Sequence, residues 1–177
     1  MKKFLLLTIL VILSSCFLGC DNFYTKRHFA NMIQHKIKIP DTLIPVCNNE
    51  SFSIQPRTPL FVLYIDTTEC SSCRLNNLTM YESFANSIKP VDFYVIFSPT
   101  KKEQNHLKHS ASRLNTSFQI LFDTLSVFQT INPCIPKDHR FHAFLLDKEG
   151  YPVFIGDPVY NKKLYPVFLN EFKQLKY

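Results

Sequence analysis

The sequence predicts an α/β fold, a central mixed β-sheet flanked by helices. Three observations carry that expectation. Apolar runs rich in β-formers recur at residues 60–65, 91–97, 118–122 and 141–146. Between them lie segments whose apolar residues fall three or four apart, the spacing of one helix face. After the last run, Asp147-Lys148-Glu149-Gly150 reads as a turn into a further short strand, 153–155. Strands alternating with helices give a mostly parallel sheet, and the late hairpin adds an antiparallel edge.

The chain has 177 residues, 46% of them hydrophobic. That is enough for one domain with a core, and it is not a disordered composition. No internal repeat, low-complexity tract or second domain is visible. Residues 1–19 read as a leader rather than as fold. Lys2 and Lys3 precede an apolar run, 4–13, interrupted only by Thr8. The run is too short for a membrane-spanning helix and fits a signal peptide. Small residues before Cys16 and Cys20 resemble the bacterial lipobox, in which the cysteine is lipidated and becomes the new N-terminus. Cys20 is the preferred site, because it leaves a longer apolar run and polar sequence follows it directly. Cys16, after Leu-Ser-Ser, is the alternative.

Either register exports the chain to a compartment that tolerates disulfides. Loss of Lys2 and Lys3 lowers the formal charge from +6 to +4. That modest basicity argues against a nucleic-acid partner. It is compatible with weak attraction to anionic headgroups.

Residues 20–42 read as a tether or helix, with Phe23, Arg27, Ala30, Ile33 and Ile37 at roughly helical spacing. The domain proper spans 43–177. Ile39-Pro40 and Ile44-Pro45 break regular structure, and 43–54 has room for one or two short edge strands. After the first long strand, Leu75, Leu78, Tyr81, Phe84, Ala85 and Ile88 predict one helix face, which Lys89-Pro90 stops. Residues 101–114 read as an exposed helix with Leu107, Ala111 and Leu114 inward. Asp123 or Thr124 is placed to cap a short helix ending at Ile131. Residues 161–175 read as an amphipathic closing helix, with Pro166 in its first turn or at a kink.

The chemistry centres on Cys70-Ser71-Ser72-Cys73, where the strand 60–65 crosses into its helix. Two thiols three positions apart at a helix start can close a small disulfide ring. Free N–H groups and the positive end of the helix stabilise a thiolate on the first sulfur. Cys70 is the candidate attacker and Cys73, one turn in and expected to be more buried, the candidate resolving thiol. Arg74 adds a nearby cation, whereas the Glu69 carboxylate disfavours the thiolate. A zinc site needs two further ligands, usually a second paired motif, and none exists. If Cys20 is lipidated, Cys47, Cys70, Cys73 and Cys134 remain. They allow three pairings, and sequence alone does not choose among them.

The strand-helix order around this motif resembles the thioredoxin fold, most closely the exported, membrane-anchored thiol-disulfide oxidoreductases of the TlpA type. The resemblance covers roughly residues 43–175. Its second anchor is Phe144-Leu145-Leu146-Asp147, the turn to Gly150, then Val153 and Gly156. Two positions depart from that pattern. Glu69 stands where the family usually has Trp. Phe141 stands where it has a cis-proline facing the cysteines, with Pro136 five residues upstream.

In that register His142 lies near Cys70, either as a proton donor and acceptor during exchange or as a half-exposed strand histidine. Asp66 is either a buried proton acceptor or the cap of its loop. His106 and His109, three apart, fit a solvated helix face better than a metal site. Cys134 is a third redox thiol or a partner for Cys47. The resemblance implies a lipid-anchored protein of the cell envelope, facing the periplasm or the exterior. It exchanges thiols and disulfides with protein cysteines and an unknown redox partner, and needs neither an organic cofactor nor a metal. A soft-ion site for Cu(I), or an interaction module stiffened by the bridge, are the competing expectations.

Overall fold

The computed structural model describes residues 23–46 and 59–175. The leader, Cys16, Cys20 and Cys47 lie outside those residues. A six-stranded sheet has the order β1-β4-β3-β2-β5-β6. Its strands are β1 (Ile44–Pro45), β2 (Leu60–Ile65), β3 (Asp92–Phe97), β4 (Gln119–Phe122), β5 (Ala143–Leu146) and β6 (Pro152–Ile155). The β2, β3 and β4 strands are mutually parallel; β5 runs antiparallel to β2, β6 to β5, and β1 to β4. The sheet is mixed, as the sequence predicts.

Strand β2 is buried along its whole length. It therefore reads as a continuous apolar run rather than an alternating one. Successive side chains still part company. Phe61, Leu63 and Ile65 enter one core, while Leu60, Val62 and Tyr64 enter the other. The first core takes the buried side chains of α2 (Ser71–Asn76), α3 (Glu82–Ser87), α4 (Gln104–Ala111) and α6 (Tyr165–Gln174). Phe61 sits at its centre, with ring centroids 4.9 Å from Phe84 and 5.1 Å from Phe93, both edge-on. Burial of each such ring contributes about 1.5–3 kcal/mol, with a further ~0.5–1.5 kcal/mol per well-oriented pair. The second core takes Phe128 from α5 (Val127–Ile131), Met32 from α1 (23–33), and Ile37 and Leu43. Ile37 N–H also donates to the Gly150 carbonyl at 2.9 Å, so the irregular segment after α1 lies against the β5–β6 turn.

Four expectations are corrected. The segment after the cysteines is not one helix: α2 ends at Asn76, a 3₁₀ turn covers Leu78–Tyr81, and α3 follows. Asn76 and Asn77, weak helix formers, stand at the break, where the Asn77 N–H is shared between the Arg74 and Leu75 carbonyls. All six residues of the predicted face are nonetheless buried. Phe141 and His142 precede β5 rather than belonging to it, because the Asp138 carboxylate accepts from Arg140 N–H and starts a 3₁₀ turn, His139–Phe141. Helix α5 starts later than its cap predicts. Ser126 takes a left-handed conformation (φ 53°), and Asp123 reaches past it to accept from Val127 and Phe128 N–H at 2.9 and 2.8 Å. Helix α6 starts at Tyr165, with Pro166 in its first turn as expected. No helix among the described residues is long and apolar enough to cross a membrane.

Candidate functional site

The C-terminal ends of the parallel strands β2 and β3 open toward the β2–α2 crossing, where open α/β sheets place their sites. Cys70 and Cys73 form a disulfide there, with Cα atoms 5.3 Å apart, inside the ordinary span of such bridges. Cys70 caps α2. Its backbone is extended (φ −70°, ψ 95°), and its sulfur accepts from the Cys73 N–H at 3.3 Å. A thiolate released at this position keeps that donor. The expectation of a shielded second sulfur fails, since Cys70 and Cys73 are both exposed. The cause is the start of α2. Ser71 takes the inward position of the first turn and Leu75 that of the next, which leaves Cys73 turned outward.

Arg74 does not approach the sulfurs as a free cation. Its Nε lies 3.3 Å from Glu69 Oε2, and its guanidinium stacks on the Tyr160 ring at 5.1 Å. Tyr160 belongs to the loop after β6. That loop is held by Asp157, which accepts from Val159 and Tyr160 N–H and from the Tyr81 hydroxyl. Burial, and then the Asp157 charge, push Tyr81 titration far upward, so the hydroxyl stays a donor. This arch over the disulfide helix was not read from the sequence. Asp157 and Tyr160 are about 90 positions from the cysteines in sequence, and no spacing rule links them.

Asp66, Glu69 and His142 cluster beside the end of β2, with Glu69 directly before Cys70 in sequence. Asp66 is buried, and its Oδ1 accepts from Thr68 N–H at 2.8 Å and Thr68 Oγ1 at 2.6 Å. It caps its loop. His142 is 1% exposed, not half-exposed. Tyr64 N–H donates to the His142 carbonyl at 2.8 Å, which continues the β2–β5 pairing one step beyond Ala143 and sets the ring beside the end of β2. The ring Nε2 lies 2.9 Å from the Pro136 carbonyl. A carbonyl only accepts, so Nε2 carries the proton and Nδ1 faces Glu69 Oε1 at 3.7 Å. The sequence placed His142 near the motif but did not pair it with Glu69. The pairing follows from the register of β5 along β2, which the 147–150 turn between β5 and β6 does not set.

Phe141, at the departure from the proline pattern, is buried in the second core. Its ring meets His28 of α1 edge-on at 5.9 Å. His106 and His109 are exposed, and His109 Nε2 lies 2.6 Å from an Arg113 nitrogen. Cys134 is a buried free thiol, which burial pushes upward in pKa.

No protein-family model matches the sequence, and no curated protein matches it. Solved structures do. An uncharacterized conserved protein from Geobacillus kaustophilus matches with a TM-score of 0.51 at 16% identity, over 70% of this chain and 67% of that one. Yeast Sco1 with copper bound matches with a TM-score of 0.50 at 17% identity, over 75% of this chain and 89% of that one. The fold is thioredoxin-like. Within that fold a pneumococcal exposed lipoprotein thioredoxin from Streptococcus pneumoniae, 18% identical, aligns over 66% of this chain and 87% of its own with a TM-score of 0.46. In thioredoxin-like terms, Cys70 and Cys73 stand at the junction of the central strand β2 with its helix.

Proposed function

We propose that the chain exchanges thiols and disulfides with protein cysteines through Cys70 and Cys73. One observation carries this: an exposed, closed Cys70–Cys73 disulfide whose first sulfur caps a helix and accepts the Cys73 N–H. In the reducing direction, the Cys70 thiolate attacks one sulfur of a substrate disulfide. A mixed disulfide forms and one substrate thiolate leaves. Cys73, deprotonated, then attacks the Cys70 sulfur, releases the second substrate thiolate and closes the Cys70–Cys73 bond. Two electrons pass to the substrate, and the two departing thiolates take up protons. Oxidation of a dithiol is the same sequence reversed. Arg74, paired with Glu69, offsets the carboxylate that would otherwise oppose the Cys70 thiolate.

The reading extends to an exported protein held at the cell envelope by a lipid on Cys20, with Cys16 as the alternative. The leader at residues 1–19 and the cysteines after it support that extension. A second reading keeps Cys70 and Cys73 as thiolates for a soft ion such as Cu(I). A copper-bound neighbour of the same fold prompts it. His142 fits it poorly, since Nε2 is engaged by Pro136 and Nδ1 is turned to a carboxylate, a partner for harder ions.

The test is the reduction potential of Cys70–Cys73 in the full chain, equilibrated in glutathione buffers and read by mass-tagging of free thiols. A reversible midpoint between roughly −300 and −120 mV is expected, the range of working oxidoreductases. A pair that stays oxidised well below that range overturns the exchange reading and leaves a structural bridge. Stoichiometric copper retained through purification and lost in Cys70→Ser transfers the site to the second reading.

A further inference from the structure

We propose that Asp66, Glu69 and His142 form a binding site for a borderline divalent cation of the Zn²⁺ class, independent of the disulfide sulfurs. One ligand atom from each residue can be chosen so that all lie within 4.8 Å of one another. Asp66 and His142 are buried, and the Glu69 side chain is 12% exposed.

The cluster alone would carry nothing; the orphaned atoms inside it do. Glu69 Oε1 and His142 Nδ1 are both buried without a hydrogen-bond partner among the described residues, and they face each other at 3.7 Å. With Nε2 donating to Pro136, the ring in its neutral form presents a lone pair at Nδ1. A carboxylate oxygen presents another. Two lone pairs buried face to face are costly unless something positive lies between them. At 3.7 Å the separation is too long for a direct hydrogen bond. It is close to the ~3.4 Å between two ligands of a tetrahedral ion with bonds of about 2.1 Å.

The surroundings follow the habits of metal sites. A ligating histidine almost always gives its other ring N–H to a carbonyl or carboxylate, and Pro136 supplies that carbonyl. Arg74 takes Glu69 Oε2, which orients Oε1 inward. Thr68 takes Asp66 Oδ1 through two bonds and fixes that carboxylate as well. The donor set is two carboxyl groups and one imidazole, with one Glu69 oxygen already held by Arg74. One nitrogen and two oxygens suit Zn²⁺ or Mn²⁺ and do not suit Cu(I).

The experiment is Zn²⁺ titration of the full chain in its oxidised form, by calorimetry and by metal analysis after dialysis. One Zn²⁺ per chain is expected. His142→Gln, Glu69→Gln and Asp66→Asn each weaken it about tenfold or more, while His106→Gln on the exposed face of α4 leaves it unchanged. No uptake by the oxidised chain overturns the proposal. Uptake that survives all three variants, or that appears only after Cys70–Cys73 is reduced, also overturns it. If a variant does not fold, Co²⁺ bound to the oxidised wild-type chain decides. Visible ligand-field bands without a sulfur charge-transfer band support the site, and a sulfur band or no bands overturn it. The Zn²⁺ result stands apart from the reduction potential, so failure of the exchange reading leaves this one standing.

Discussion

Glu69 Oε2 lies 3.3 Å from Arg74 Nε, so the residue before Cys70 and the residue after Cys73 clasp each other across the disulfide loop. The pair is partly shielded, with side chains 12% and 22% exposed, and the Tyr160 ring lies over the guanidinium. Its charges sit beside the reacting sulfurs, so its effect falls on their ionisation more than on stability.

Alkylation of the reduced protein reads that effect. At pH 7, Glu69→Gln removes a negative charge next to Cys70 and is expected to speed its reaction with iodoacetamide roughly threefold. Arg74→Ala leaves the carboxylate uncompensated and is expected to slow it by a similar factor. Equal rates in both variants would show that the clasp does not reach the thiolate.

Asp123 holds more structure than its size suggests. Its carboxylate is buried, accepts from two N–H groups at the start of α5, and takes the Ser98 hydroxyl at 3.1 Å. Asp123→Ala strands all three donors and is expected to cost about 2–4 kcal/mol in urea unfolding. A loss below about 1 kcal/mol would mean that water replaces the carboxylate at little cost.

Gly156 ends β6 with φ +131°, and a Cβ there would stand 2.5 Å from Leu164 Cδ1. Gly156→Ala is expected to destabilise by about 1–3 kcal/mol, from backbone strain and the clash together. In a Leu164→Ala background the added cost is expected to shrink to the strain alone. An undiminished cost would remove the clash as a cause.

Cys134 gives a pH dependence with a definite sign. Burial raises its folded-state pKa. Below the thiol's unfolded value the proton is bound in both states and stability is unaffected. Above that value the unfolded chain ionises first, so stability falls as pH rises toward the folded value. Between pH 7 and 9.5 the wild-type chain is expected to lose on the order of 0.5–1 kcal/mol more than Cys134→Ala. Parallel urea curves at the two pH values check it, and identical losses would show that the thiol ionises alike in both states.

Much of the fold was legible because its signals are local. Leu60–Ile65 is a strand by composition and observed as predicted. Gly150, the last residue of the predicted turn, has φ +93°. The inward face from Leu75 to Ile88 survives the break in its helix, because a 3₁₀ turn shifts the register without turning the face outward. Two of the corrections fall where one polar side chain redirects the backbone: Asp138 at the start of β5 and Asp123 at the start of α5.

The sequence by itself determined the sheet-and-helix order and the placing of the Cys70–Cys73 motif at the β2–α2 crossing. Each depends on neighbours a few residues apart, where periodicity and spacing act directly. Only the tertiary structure decided that Cys73 is exposed, that Arg74 is bound to Glu69 under Tyr160, and that His142 faces Glu69 across 3.7 Å. Those relations join residues up to 86 positions apart. They are set by which strands pair and by the register in which β5 lies along β2, and no local pattern of residues encodes that register.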